Sequence, residues 1–188
     1  MAKREEFATQ QPHLETHRLV FLDEAGFRLG TPPHYSWSPL GKKAFGKVPG
    51  SWDTLTMIGA IALDGFRGFM TIDAATDADV FRAFVKNELV KQLRRNDILV
   101  MDNLSVHKDV AVRAMLDQAG VTVIFLPPYS PEYNPIEKVW SKLKDILRRA
   151  DTMAREAFDS AVAVAMKSIT PENIRAWVQY AGYKIDST

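Results

Sequence analysis

The 188-residue chain has no cysteine, which excludes disulfides, thiolate nucleophiles and thiolate metal sites. No apolar run approaches the length of a membrane span, and the first residues, Met1-Ala2-Lys3-Arg4-Glu5-Glu6, lack the apolar core of a secretory signal. The four histidines are scattered without zinc-ligand spacing. A large excess of charge is also missing: the net charge is +1, whereas free-standing nucleic-acid binders are usually more basic. One absence is local. Between residues 25 and 52 there is no acid, while Arg28, Lys42, Lys43 and Lys47 occur among prolines, glycines, Tyr35, Trp37 and Trp52. Such a segment is either a solvated loop or a basic, aromatic-bearing arm that contacts phosphates or a partner subunit.

What is present suffices for one core: 46% of the residues are hydrophobic, in a length that suits a single domain. Residues 1–17 are polar and are expected to form a flexible N-terminal arm. Residues 18–24 read as a strand with Leu19, Phe21 and Asp23 on one face and Val20, Leu22 and Glu24 on the other. Both faces begin apolar, as in a central strand covered on both sides. Residues 55–63 and 66–72 form a hairpin around Asp64-Gly65. Thr76 is the expected N-cap of a helix that carries Val80, Phe81, Phe84, Val85, Leu89 and Leu93 at helical spacing. A strand over 97–102, a helix over 106–119 closed by Gly120, and a strand over 121–126 follow. Helices over 134–149, 152–169 and 171–180 complete the chain, the last capped by Thr170. The order predicts an α/β domain over 18–182, a mixed five-stranded sheet flanked by helices, with extra C-terminal helices over 151–182.

Two apolar strands thus end in a carboxylate, Asp23 and Asp102, and Glu137 opens a helix after the proline-rich loop Leu126-Pro-Pro-Tyr-Ser-Pro-Glu-Tyr-Asn-Pro-Ile. Hard divalent cations require several carboxylate oxygens converging from different elements, so the trio is the raw material of a phosphoryl-transfer site. Glu137 has a second reading. With Asn134 as N-cap and Pro135 as first helical residue, it stands third, where a capping-box glutamate belongs. Glu137, Ser141, Lys144 and Arg148 share one helix face, which is either solvated or follows a DNA backbone. His107, five residues after Asp102, is placed to reach a phosphate or bound water. Asp64, Asp73 and Glu88 are candidates for a fourth ligand.

The segments Phe21-Leu-Asp-Glu-Ala-Gly-Phe27, Val100-Met-Asp-Asn-Leu-Ser-Val-His-Lys108 and Leu126-Pro-Pro-Tyr-Ser-Pro-Glu-Tyr-Asn-Pro-Ile-Glu-Lys-Val-Trp140 together resemble the catalytic domain of DDE transposases, and more narrowly bacterial insertion-sequence relatives of the mariner superfamily. The gap between Asp102 and Glu137, residues 103–136, matches that group's usual spacing. The resemblance implies an RNase H-like fold in which Asp23, Asp102 and Glu137 hold two Mg²⁺ ions, with Mn²⁺ able to substitute. It implies DNA strand cleavage by water and transfer of the freed 3′-OH to target DNA, commonly at a TA dinucleotide.

It further implies a clamp-like insertion over 25–53, a homodimer on DNA, and DNA contacts from Arg28, Lys42, Lys43, Lys47, His107, Lys108, Lys144 and Arg148. Full-length relatives carry N-terminal helix-turn-helix modules, for which residues 1–17 leave no room. The chain is therefore expected to be either a separate reading frame joined to an upstream DNA-binding half or a truncated remnant. Its expected location is the cytoplasm, nucleoid-associated when bound to DNA, with no membrane partner. Two other functions share these residues: a non-catalytic module regulating a full transposase, and a stand-alone RNase H-like nuclease.

Overall fold

In the computed structural model, residues 2–29, 38–43, 54–73, 75–150 and 155–185 are described. Strand β1 spans Leu19–Arg28, four residues beyond the expected end. Its second half is held by pairing: β2, Thr54–Ala62, lies antiparallel to it from Phe21 to Arg28. Residues 25–28 therefore belong to the sheet, and of the rest of the segment expected as a basic insertion only 29 and 38–43 are described. Strand β3, Gly65–Ile72, returns beside β2, and Gly65, φ +140°, opens it immediately after Asp64. Strands β4, Ile98–Met101, and β5, Thr122–Phe125, add in parallel on the other side of β1, giving the order β3-β2-β1-β4-β5. This is the expected mixed five-stranded sheet.

Helices cover both faces. Helix α2, Ala78–Phe84, is capped by Asp77, whose side chain accepts from the Val80 N–H at 2.9 Å. Thr76, the expected cap, lies one residue too early. The helix continues through a π turn, Val85–Leu89, into α3, Val90–Gln92. The helix expected from residue 106 starts later, as α4, Val110–Gln118, because a 3₁₀ turn, Ser105–Lys108, intervenes and Asp109 then caps the new start. Helices α5, Ile136–Arg149, α6, Arg155–Lys167, and α7, Pro171–Tyr180, follow. Thr170 and Asn173 form a capping box at the last.

β1 divides the core in two. Phe21, Phe27 and Met57 pack with Trp140, Leu143 and Phe158 on one side. Leu22 and Ile58 pack with Phe81, Phe84, Val112 and Leu116 on the other. Each fully buried Phe, Leu or Ile contributes roughly 1.5–3 kcal/mol, so both layers hold the central strand in register.

The N-terminal residues depart from expectation. Ala2–Gln10 form helix α1, which is docked and not a loose arm. Phe7 is buried against the Tyr133 ring, centroids 5.0 Å apart, and Arg4 pairs with Glu132. Gln11 donates to the Ala181 carbonyl at 2.7 Å, and Thr16 donates to that of Lys184. A polar helix with one buried aromatic gives almost no amphipathic signal, which is why the sequence reads as an arm. Among the described residues no helix is long and apolar enough to cross a membrane.

Candidate active site

Asp23 sits in β1 opposite Gly59 of β2. A Cβ at Gly59 would come within 2.8 Å of the Trp140 indole, so glycine is what lets that ring lie across β2. The ring's Nε1–H then donates to Asp23 Oδ2 at 3.2 Å. Asp102 follows the last residue of β4. Its Oδ1 accepts the Leu104 N–H at 3.0 Å and pairs with His107 Nδ1 at 2.8 Å. Glu137 is the second residue of α5. The three carboxylates, from β1, the end of β4 and the start of α5, line one cleft of about 480 Å³, floored and rimmed by the loop from Leu126 to Pro131.

Their protonation differs with surroundings. Burial, then the nearby Glu137 charge, push Asp23 up to about 7. Glu137, exposed on its outer side, is also raised, by the desolvation of its inner side, with Lys144 opposing. Asp102 is partly desolvated too, but the His107 hydrogen bond and the Leu104 amide outweigh this and hold it below the usual range. Three acids crowding one cleft repel one another, and a cation removes that repulsion. Among the described residues no three such groups stand close enough to hold one ion as they are. The donor set nevertheless fits a hard divalent cation: oxygen ligands only, from three elements, around an open cleft.

Glu24 faces the other side of β1, where sequence parity placed it, yet it joins the same constellation. His107 Nε2 lies 3.1 Å from Glu24 Oε1 while its Nδ1 holds Asp102. Burial disfavours the charged ring, but hydrogen bonds to Asp102 and Glu24 prevail and carry His107 up to about 10. His107 is 3% exposed, so it bridges carboxylates and is not the DNA contact expected of it. Nothing in the local sequence announces this, because Glu24 lies 83 residues away.

The other expectations fall out as follows. Asn134 does not cap α5. Pro135 occupies the cap position without a side-chain hydrogen bond, and Asn134, a residue of the cleft lining, is buried with Oδ1 unpartnered. The 3₁₀ turn Pro131–Tyr133 delivers the chain at an angle that starts α5 one residue late, so Glu137 is not a capping-box residue. Asp64 is paired with Arg67 and Arg94, and Asp73 with Arg155; neither they nor Glu88 line the cleft. Lys144 is half-buried close enough to feel Glu137 and Asp23, with desolvation lowering its pKa. Arg148 lies one turn further along α5, part-buried, with an unpartnered Nε. Lys108 is exposed, 6.0 Å from the Phe125 ring centroid. Arg28, Lys42 and Lys43 are exposed, and Lys47 lies outside the described residues.

Known proteins resemble the chain in sequence and in fold. Over 189 aligned residues the chain is 25% identical to the Tc3 transposase of Caenorhabditis elegans, covering 94% of this chain and 57% of that protein. It is 24% identical to an uncharacterised 39 kDa protein of insertion element IS630 from Shigella sonnei, covering 71% and 39%. It thus spans little more than half of the longer match. Among solved structures, a Mos1 transposase paired-end complex with the left transposon end superposes with a TM-score of 0.79 at 16% identity, covering 96% of this chain and 57% of that one. Mos1 paired-end complexes with Mn and with Mg give 0.78 and 0.73, at 17% and 16% identity, over 96% of this chain and 57% and 58% of theirs. These likenesses establish the RNase H-like fold. Residues 18–159 match the profile described as DDE superfamily endonuclease, and the chain belongs to that family.

Proposed function

We propose that the chain is the catalytic domain of a DNA transposase, which cuts a phosphodiester at a transposon end and joins the freed 3′-OH to target DNA, commonly at TA. One observation carries the reading: Asp23, Asp102 and Glu137 reach a single open cleft from three elements. Asp23 and Glu137 hold protons more tightly than free acids there, as ligands awaiting a cation do. Two Mg²⁺ ions, or Mn²⁺ in their place, would supply activation of the attacking oxygen and charge neutralisation on the leaving one.

The chain's own residues do the rest. Trp140 fixes Asp23, and His107 with the Leu104 amide fixes one oxygen of Asp102, which leaves the other for the cleft. Lys144, beside Glu137, and the exposed Lys42, Lys43 and Lys108 supply positive charge for the DNA backbone, with Arg28, Lys47 and Arg148 assigned to the same task. End recognition is assigned to a separate helix-turn-helix half, and pairing of ends to two copies on DNA. The greater length of the relatives and the paired-end form of the Mos1 complexes support both assignments.

The test is nicking of supercoiled plasmid and of linear DNA with Mg²⁺ or Mn²⁺, comparing wild type with Asp102→Ala, with the upstream half supplied. Metal-dependent nicking lost in the variant is the expected result. A wild type that cuts nothing under these conditions sinks the proposal.

A further inference from the structure

A second cleft opens beside the first, between the start of α5 and the end of α7. It encloses about 300 Å³ and shares Pro131, Asn134 and Glu137 with the carboxylate cleft, so the two adjoin. Its far wall is aromatic: Trp177 is part-exposed, and Tyr180 is 74% exposed at its rim. Lys138 Nζ stands 4.5 Å from the Tyr180 ring centroid. On the boundary between the clefts, Asn134 is only 4% exposed, and its Oδ1 accepts no hydrogen bond. A buried acceptor without a partner is costly unless something fills the site.

We propose that this second cleft binds an unpaired nucleotide of the DNA strand next to the reacting phosphodiester, a reading that rests on the DNA-cleaving assignment above. The composition fits that occupant. An aromatic ring stacks a base whatever its identity, the ammonium of Lys138, held over the Tyr180 ring, is near enough to meet a phosphate, and the unpartnered Asn134 oxygen at the boundary lacks the donor that a base amino group would supply. In an intact duplex the base faces are hidden by stacking, so the nucleotide must be unpaired. The shared wall at Glu137 places it beside the chemistry.

The experiment measures fluorescence anisotropy of the full chain, without divalent metal, on two labelled DNA hairpins, one blunt and one with a short single-stranded overhang. Wild type should bind the overhang about tenfold more tightly, the order expected for one stacked base. Tyr180→Ala should reduce that preference about fivefold or more, and Tyr180→Phe should keep it. Tyr180 is exposed, so both variants should melt with wild type. A 5-iododeoxyuridine in the overhang should photocross-link to the peptide holding Trp177 and Tyr180. Equal binding of both hairpins by wild type overturns the proposal, and so does an unchanged preference in Tyr180→Ala. A shift of Tyr180→Ala from dimer to monomer with overhang binding intact also overturns it, marking the cleft as a surface between copies. Metal-dependent nicking is a separate readout. Nicking without overhang preference defeats this inference alone, and overhang preference without nicking defeats the catalytic reading alone.

Discussion

The Trp140 indole donates to Asp23 across the backbone of Gly59, so three elements of the core meet at one carboxylate oxygen. The contact makes Gly59 a position where one methyl group matters. Gly59→Ala would push the indole, overpacking the core at a cost of about 1–3 kcal/mol. Trp140→Phe keeps most of the volume but leaves Asp23 Oδ2 without a donor, a loss of about 1–3 kcal/mol. Chemical denaturation of both variants checks this, and a Gly59→Ala protein as stable as wild type would refute the packing argument.

Asp23 gives the site a pH dependence of defined sign. Its folded pKa is raised, to about 7, above the ordinary 3.8, by burial first and then by Glu137. The folded chain therefore favours the neutral acid. Its contribution to stability is complete below the ordinary value and declines as pH rises through about 7. Melting temperatures of metal-free protein between pH 4 and 8 should show this decline, and Asp23→Asn should show a smaller one, the remainder coming from Glu137 and His107. Because a cation must displace the Asp23 proton, Mg²⁺ should raise the melting temperature more at pH 8 than at pH 5.5.

His107 works with the same sign at higher pH. Its folded pKa, about 10, lies above the ordinary 6.5, so its stabilisation is full below the ordinary value and disappears as pH rises through about 10. His107→Ala leaves Glu24, only 10% exposed, without its cation. The cost of breaking a buried pair is about 3–5 kcal/mol, a drop on the order of 10 °C in a domain this size. Glu24→Gln combined with His107→Gln should cost less than the two single changes added together, as measured by a double-mutant cycle.

Phe7 tests the docking of α1. It is 6% exposed against Tyr133, and Phe7→Ala should cost about 3 kcal/mol. Limited proteolysis should then cut within residues 1–17 well before the rest of the chain. Equal resistance in wild type and variant would show that the helix does not depend on this ring.

The elements most legible in sequence were those whose signals are local. Thr170 before Pro171 marks the start of α7, and the stripe Ile136, Val139, Trp140, Leu143, Leu147 marks the buried face of α5. Asp102 and Glu137 stand where the sequence puts them, just past β4 and at the start of α5, whereas Asp23, expected to end a strand, lies midway along β1 because β2 extends the pairing; all three still line one cleft. What stayed hidden depends on distant partners. The second half of β1 is stabilised by β2, Asp77 and Thr76 are equally good caps until packing chooses, and His107 is a surface residue by every local rule until Glu24 meets it. Trp140 reads as core from its periodicity, and it is core. Its polar tip acquires a role only through Asp23, 117 residues away.

That separation bears on synthesis as well as on chemistry. Asp23 emerges from the ribosome before either partner acid: β1 gains its parallel neighbour only with β4, and the third carboxylate arrives only with α5. Non-local pairing of this kind forms slowly, because loop closure must precede the contacts that reward it. A nascent or prematurely terminated chain that stops short of Glu137 has no complete carboxylate cleft. The cleft proposed for catalysis is therefore complete only once most of the domain has been made.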